Sequence, residues 1–427
     1  MQANPNRWFR IPLIIITVTL GLFFFLYALR AWTHVTHGFV MYYTYSRMLL
    51  EGASFEQAYS YTDFNRRIQS YGIEGIRDMP NNPPTTALAL LPVAWLPPVE
   101  AKAAWTVLSL VLFAIGLYAM LRAYKVKGVD VRMWSVLALA FLWHPIYDGI
   151  AFGQIYFMLF SLFMVAAWAI ADTREGLAGS LAGVAFLLKG YGIIPAIWFA
   201  LRRHRKAASA FALTVVIGIL VTLPFVHLAS WERFANGVVA GLGSRPTDAH
   251  VAYQTVNSLL FHLFTFDPQW LPNPLTVFPV FLVTIVSYSI NLSLVVIVLI
   301  RSRSTSSRER VLGFSAAIAV SVVTAPLAEE YHFLLLLPLV VGLLLEFLDR
   351  WVAKSRQYGL NAIFLVSVLV LALPLRYKTL QEFAFPLILL AYPKLYAGFG
   401  ILFCYVKISS LTTVTTRPQS EIPASVG

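Results

Sequence analysis

Charge is what this chain has least of. Charged residues make up 12% of its 427 residues, against roughly a quarter in a soluble domain. That scarcity excludes an ordinary water-facing globule. Cysteine is almost absent as well. The one cysteine, Cys404, lies within an apolar run, so no intramolecular disulfide forms and cysteine usage carries no message about redox compartment. No Walker loop and no Gly-rich dinucleotide fingerprint follows a strand-like run, which leaves a nucleotide or nucleotide-sugar without an obvious home. Alternation of apolar and polar residues is missing too, which argues against a closed β-barrel. No short-period repeat and no metal-ligand cage is legible. Basic residues outnumber acidic ones for a net charge of +12. They fall in short clusters between apolar runs, which encodes membrane orientation rather than a nucleic-acid surface.

What remains is apolar. Hydrophobic residues make up 59% of the chain, and several runs reach the roughly 20 residues a bilayer crossing requires. The expected fold is all-α and multi-pass, with about ten full crossings plus broken pieces. The first run, 11–29, is too long and too firmly flanked for a cleaved signal. Arg7 and Arg10 before it place the N-terminus in the cytoplasm. The polar, aromatic stretch 32–84 is then a large outer loop. Segments 99–121, 133–147 and 150–171 carry the chain in, out and in again. Basic clusters at Arg122–Lys127–Arg132 and at Arg202–Arg203–Arg205–Lys206 are both expected inside. Only 177–201 separates the turn 172–175 from the second cluster, too short for two full spans at about 1.5 Å per residue. It is read as two half-helices meeting near 189–192, tolerated only where protein or a wet cavity covers the freed backbone. Segment 85–96, closed by Pro97 and Pro98, is a second candidate half-helix. Segment 207–228 leads to a second outer loop, 229–274. Spans follow at 277–300, 311–328, 333–348, 360–374 and 383–406. One membrane domain over 1–408 and a disordered cytoplasmic tail over 409–427 complete the organisation.

This threading brings three polar stretches to one face: both loops and the turn Glu329-Glu330-Tyr331-His332. Asp78 sits among prolines before an apolar segment; it reads as a general base for an acceptor hydroxyl, or as a helix cap or partner of Arg77. Asp63 reads as an alternative base or as a helix N-cap. Arg66 and Arg67 have the fork that binds phosphate and equally suit lipid headgroups. Adjacent Glu329 and Glu330 raise one another's pKa, which suits acid–base work. His332 is placed to donate to a leaving phosphate. Lys189, in the middle of an apolar segment, is expensive there and points to a cavity, most simply as a phosphate ligand. Gln154 and Asn257 are weaker pocket candidates, since such amides commonly join helices.

The order of motifs resembles a known family. Phe39-Val40-Met41-Tyr42-Tyr43 and Leu49-Leu50-Glu51-Gly52 are followed by Asn82-Pro83-Pro84 and Leu91-Pro92. Gly153-Gln154, Leu177-Ala178-Gly179, Leu188-Lys189-Gly190-Tyr191, Asn257-Ser258-Leu259 and Tyr331-His332 come next. Over most of 10–350 this is similar to glycosyltransferase family 87, polyprenol-phosphate-mannose-dependent mannosyltransferases of the GT-C superfamily. The resemblance implies an inverting transfer at the extracytoplasmic face of the cell membrane. The donor is a polyprenyl-phosphate sugar, the acceptor a hydroxyl on a glycan or glycolipid, and the base an aspartate of the first outer loop. No cofactor or metal is implied. Many relatives carry Asp before the Phe-x-x-Tyr-Tyr stretch, where this chain has Gly38 after His37. The base is therefore assigned to Asp78 first and Asp63 second, with Lys189 and His332 on the departing phosphate. Two competing expectations are a transporter or flippase for a lipid-linked glycan, and an inactive scaffold suggested by Gly38.

Overall fold

Apolar runs of this length must satisfy every backbone donor and acceptor within themselves, and the chain does so with helices. The computed structural model describes residues 6–126, 128, 130–242, 245–302, 305–352 and 358–414. Among them the only extended pairing is an isolated bridge between Asp267 and Leu271. Lys127 of the first basic cluster, the basic residues Arg303, Lys354 and Arg356, and residues 415–427 lie outside the described residues.

Five described helices are long and apolar enough to cross a membrane: Arg10–Ala31, Pro98–Ala123, Arg205–Gly241, Val280–Arg301 and Glu330–Asp349. Shorter apolar helices cover Val131–Leu142, Tyr156–Ala171 and Tyr358–Ala372. The outward faces are large and apolar, as at Ile11, Phe23, Leu213, Leu220 and Phe281. That is the surface a lipid solvent permits and water penalises. The centre is formed by Tyr156–Ala171 and Ser307–Val323, whose residues are almost all buried.

The segment 177–201 splits as expected, into helices Glu175–Lys189 and Ile193–Leu201. Gly190 makes the break: its φ of +78° is left-handed backbone, which costs a side-chain-bearing residue but not glycine. Three expectations differ. The second half-helix, 85–96, is a 3-10 turn over Pro84–Leu88 followed by further tight turns to Leu96. Pro92 removes an N–H donor from the middle of the segment and clashes with the preceding turn, which breaks an α-helical ladder there. The span 383–406 begins instead with a 3-10 turn, Leu387–Ala391, and only then becomes the helix Pro393–Val414. That helix also runs past 408 to Val414, into the segment expected as tail. The segment 32–84, expected as an outer loop, carries helices His37–Leu50 and Tyr61–Ser70. Its aromatic residues Phe39, Tyr42, Tyr43 and Tyr45 are fully buried, which turns a polar loop into part of the core.

The two ends of the bundle differ. At one, Arg132 and Arg308 share Asp349 at 2.6 and 2.7 Å. At the other, the 32–84 segment packs beside the 329–332 turn around an open cavity.

Candidate active site

The cavity holds about 630 Å³. Its polar lining comes from stretches far apart in sequence, among them His37; Asp78, Asn81 and Asn82; Gln154; Lys189; and Glu329, Tyr331 and His332.

Asp78 is fixed from below. The helix Tyr61–Ser70 buries Phe64, Asn65 and Ile68 on one face. Asn65 uses its side-chain amide on both backbone groups of Asp78, donating to its carbonyl at 3.1 Å and accepting its N–H at 3.1 Å. The Asp78 carboxylate accepts the Met79 N–H at 2.8 Å. Partial burial pushes its pKa up to about 7, with nearby Glu329 adding to the rise and Lys189 and the Met79 bond opposing it. A carboxyl so placed exchanges protons near neutrality, which a general base requires.

Lys189 is the last residue before the helix break. Its ammonium donates to the Tyr42 hydroxyl at 2.7 Å and lies 4.8 Å from the Tyr156 ring centre. Tyr42 in turn donates to Gln154 Oε1 at 3.0 Å. The cation is thereby held by neutral groups and keeps hydrogen-bonding capacity for an anion.

The 329–332 turn divides its acids. Glu329 faces the cavity, accepts the Tyr331 hydroxyl at 3.0 Å, and has its pKa raised chiefly by burial. His332 Nδ1 accepts the Glu329 N–H at 3.1 Å. In the neutral ring the proton is then on Nε2, which is free to act as donor. The ring is stacked on Tyr331 at 4.7 Å and lies tilted against Tyr156 at 4.5 Å between ring centres.

Glu330 does not line the cavity. It turns to the opposite side, where it meets His144 Nδ1 at 3.0 Å, Lys394 Nζ at 2.6 Å and the Tyr377 hydroxyl at 3.3 Å. His144, Asp148 and Glu330 bring their ligand-type atoms within 4.8 Å of one another. The positive charge at Glu330 is already supplied by Lys394, a fully buried ammonium. Burial and the neighbouring Glu330 both raise the Asp148 pKa.

Asp63, Arg66, Arg67 and Asn257 also lie away from the cavity lining. Ser60, not Asp63, is the N-cap; Asp63 sits in the first turn, donates its N–H to Ser60 Oγ, and pairs with Arg66 at 2.9 Å on the exposed face. Arg67 approaches Glu51 at 4.0 Å. Helical periodicity explains the split, because Asn65 faces inward where Asp63, Arg66 and Arg67 do not. Asn257 is buried, with neither amide atom hydrogen-bonded among the described residues.

Gly38 is filled from across the cavity. A Cβ there would lie 2.2 Å from Gln154 Nε2 and 2.8 Å from the Phe152 carbonyl. The Gln154 amide thus occupies the space a side chain at 38 would need. The residues that sequence reasoning missed are Asn65, Tyr42, His144, Lys102 and Lys394. The two lysines carried the signal that singled out Lys189, a cation inside an apolar run. Lys102 donates to the Ile150 and Ala151 carbonyls at 2.8 and 3.4 Å, just before Gly153-Gln154.

Fold and cavity together define a multi-pass helical membrane protein with carboxylates, a histidine and a lysine gathered around one cavity. The profile of glycosyltransferase family 87 matches residues 81–329, more than half of the chain, and the protein belongs to that family. A polyprenol-phosphate-mannose-dependent α-(1-2)-phosphatidylinositol mannoside mannosyltransferase of Mycobacterium tuberculosis (strain ATCC 25618 / H37Rv) is 27% identical over 172 residues. The match covers 36% of this chain and only 39% of that relative. The crystal structure of ArnT from Cupriavidus metallidurans in the apo state aligns with 93% of this chain and 76% of its own at 16% identity. Its TM-score of 0.35 is too low to bear on the fold.

Proposed function

We propose that the protein is a membrane glycosyltransferase that moves a sugar, mannose, from a polyprenyl phosphate to an acceptor hydroxyl with inversion. The observation that carries this reading is that Asp78 and Lys189 line one cavity together with His332. The Asp78 carboxylate takes the proton of the acceptor hydroxyl as that oxygen attacks the anomeric carbon. The bond from that carbon to the phosphate oxygen breaks, and the polyprenyl phosphate departs with the electron pair. Lys189 and the His332 Nε2–H meet the charge that develops on the phosphate, which is where fixed cations and donors contribute most. Ile193, Ile194, Leu242 and Leu327 give the same cavity an apolar side suited to an isoprenoid chain. The Mycobacterium relative is named for a glycolipid acceptor, and a glycolipid is the acceptor class proposed here. This reading assigns the cavity to the extracytoplasmic face of the cell membrane and both termini to the cytoplasm; the basic clusters between the apolar runs support it.

The test uses purified protein in lipid nanodiscs with mannosyl phosphoryl polyprenol and, separately, a nucleotide-activated mannose. Transfer to a glycolipid from the lipid donor alone is expected. Transfer from the nucleotide sugar, or from neither donor, would overturn the proposal.

A further inference from the structure

The helix break beside Lys189 leaves two carbonyls without their usual partners. In an unbroken helix Leu187 and Leu188 would receive the N–H groups of residues 191 and 192. Here Gly190 turns the chain away, and the next bond after it runs from Ile193 N–H to the Gly190 carbonyl. Orphaned carbonyls in an apolar setting are costly. Two consecutive threonines take them. The Thr85 hydroxyl donates to the Leu187 carbonyl at 2.5 Å and the Thr86 hydroxyl to the Leu188 carbonyl at 2.6 Å. Both threonines are buried, and neither lines the cavity.

The strap that leads to them is stiff. Between Asp78 and Thr85 the chain reads Met79-Pro80-Asn81-Asn82-Pro83-Pro84, with three prolines restricting φ. Its middle is held by the Tyr59 hydroxyl, which donates to the Asn82 carbonyl at 2.9 Å. Its start is held by Asn65. At its end, the threonines grip the two carbonyls immediately before Lys189.

We propose that Thr85 and Thr86 are positioning residues that lock the Asp78 strap onto the broken end of the Lys189 helix and so set the separation of base and cation. This rests on the transfer mechanism above. Without the hydroxyls the Leu187 and Leu188 carbonyls lose these partners, and the strap and the helix end can shift against each other. A misplacement of about 1 Å between reacting groups costs roughly 100-fold in rate.

The experiment compares Thr85→Val, Thr86→Val and the double valine variant with Thr85→Ser and Thr86→Ser. Valine keeps the shape and removes the hydroxyl; serine keeps the hydroxyl. Turnover is expected to fall by about 10- to 100-fold in the double valine variant, with acceptor and donor KM nearly unchanged. The serine variants should stay near wild type. Amide hydrogen exchange should quicken in 76–84 and 186–193 for valine and not for serine. Undiminished turnover in the double valine variant, or serine variants as impaired as valine ones, would overturn the proposal. If the double variant fails to fold, the single valine variants decide by the same criteria. If the wild type transfers nothing from the lipid donor, the functional reading fails, while hydrogen exchange still decides whether the threonines form the lock.

Discussion

Replacing Asp78 by Asn should damage activity and improve stability at the same time. The pKa of Asp78 rises from its usual value near 3.8 to about 7 in the folded protein. At about 1.36 kcal/mol per unit, ionising it in place costs up to about 4 kcal/mol of folding free energy. The sign follows from proton counting. Between pH 3.8 and 7 the folded state holds this proton more tightly than the unfolded chain, so stability falls as pH rises through that window and stays low above it. Asn cannot ionise, yet keeps an oxygen for the Met79 N–H. The advantage of Asp78→Asn over wild type should therefore be absent near pH 4, grow to pH 7 and level off. Lys189 loses one of its two neighbouring carboxylates, which offsets part of the gain. Transfer should fall about 100- to 10,000-fold, the usual contribution of a general base. In the wild type, transfer should rise with pH through the window in which Asp78 ionises. Thermal unfolding in detergent at pH 4, 5.5 and 8, beside initial-rate assays, reads both effects. Asp63→Asn is the control and should leave transfer unchanged, since its exposed pair with Arg66 lies outside the cavity. Near-normal transfer by Asp78→Asn, or a stability gain that shrinks with rising pH, would refute the reasoning.

Other expectations follow from the same geometry. Lys189→Met should raise donor KM or slow turnover at least tenfold while leaving acceptor KM nearly unchanged, because the ammonium is assigned to the leaving phosphate; equal effects on both substrates in steady-state kinetics would count against that assignment. Gly38→Ala should destabilise by about 1–3 kcal/mol through overpacking against Gln154, and the second change Gln154→Ala should recover part of it in thermal unfolding. Glu330→Gln and Lys394→Met should each cost about 3–5 kcal/mol, by leaving one buried charge unpaired. The double variant should be much closer to wild type, and a double-mutant cycle on unfolding temperatures measures the coupling.

Much of the architecture is legible in the chain because a bilayer solvent narrows the choices. Lengths of apolar runs, the prolines and the basic clusters mark helices and their ends, and the break at 190–192 follows from a segment too short to cross twice. Composition alone also singled out Lys189, since a lysine amid apolar residues needs a partner. Other features depend on contacts that no local pattern encodes. Glu329 and Glu330 are adjacent and alike in sequence, yet one faces the cavity and the other a buried lysine more than sixty residues away. The sequence offers both Asp78 and Asp63 as bases, in that order, but does not show that the inward face of one short helix puts Asn65 beneath Asp78 while Asp63 pairs with Arg66 on the exposed face. The sequence determined which segments are helical and apolar, because that depends on neighbours along the chain. Tertiary structure decided which polar side chains share a cavity, because that depends on how distant helices pack, and a rotation of one residue about a helix axis turns a side chain from the cavity to the surface.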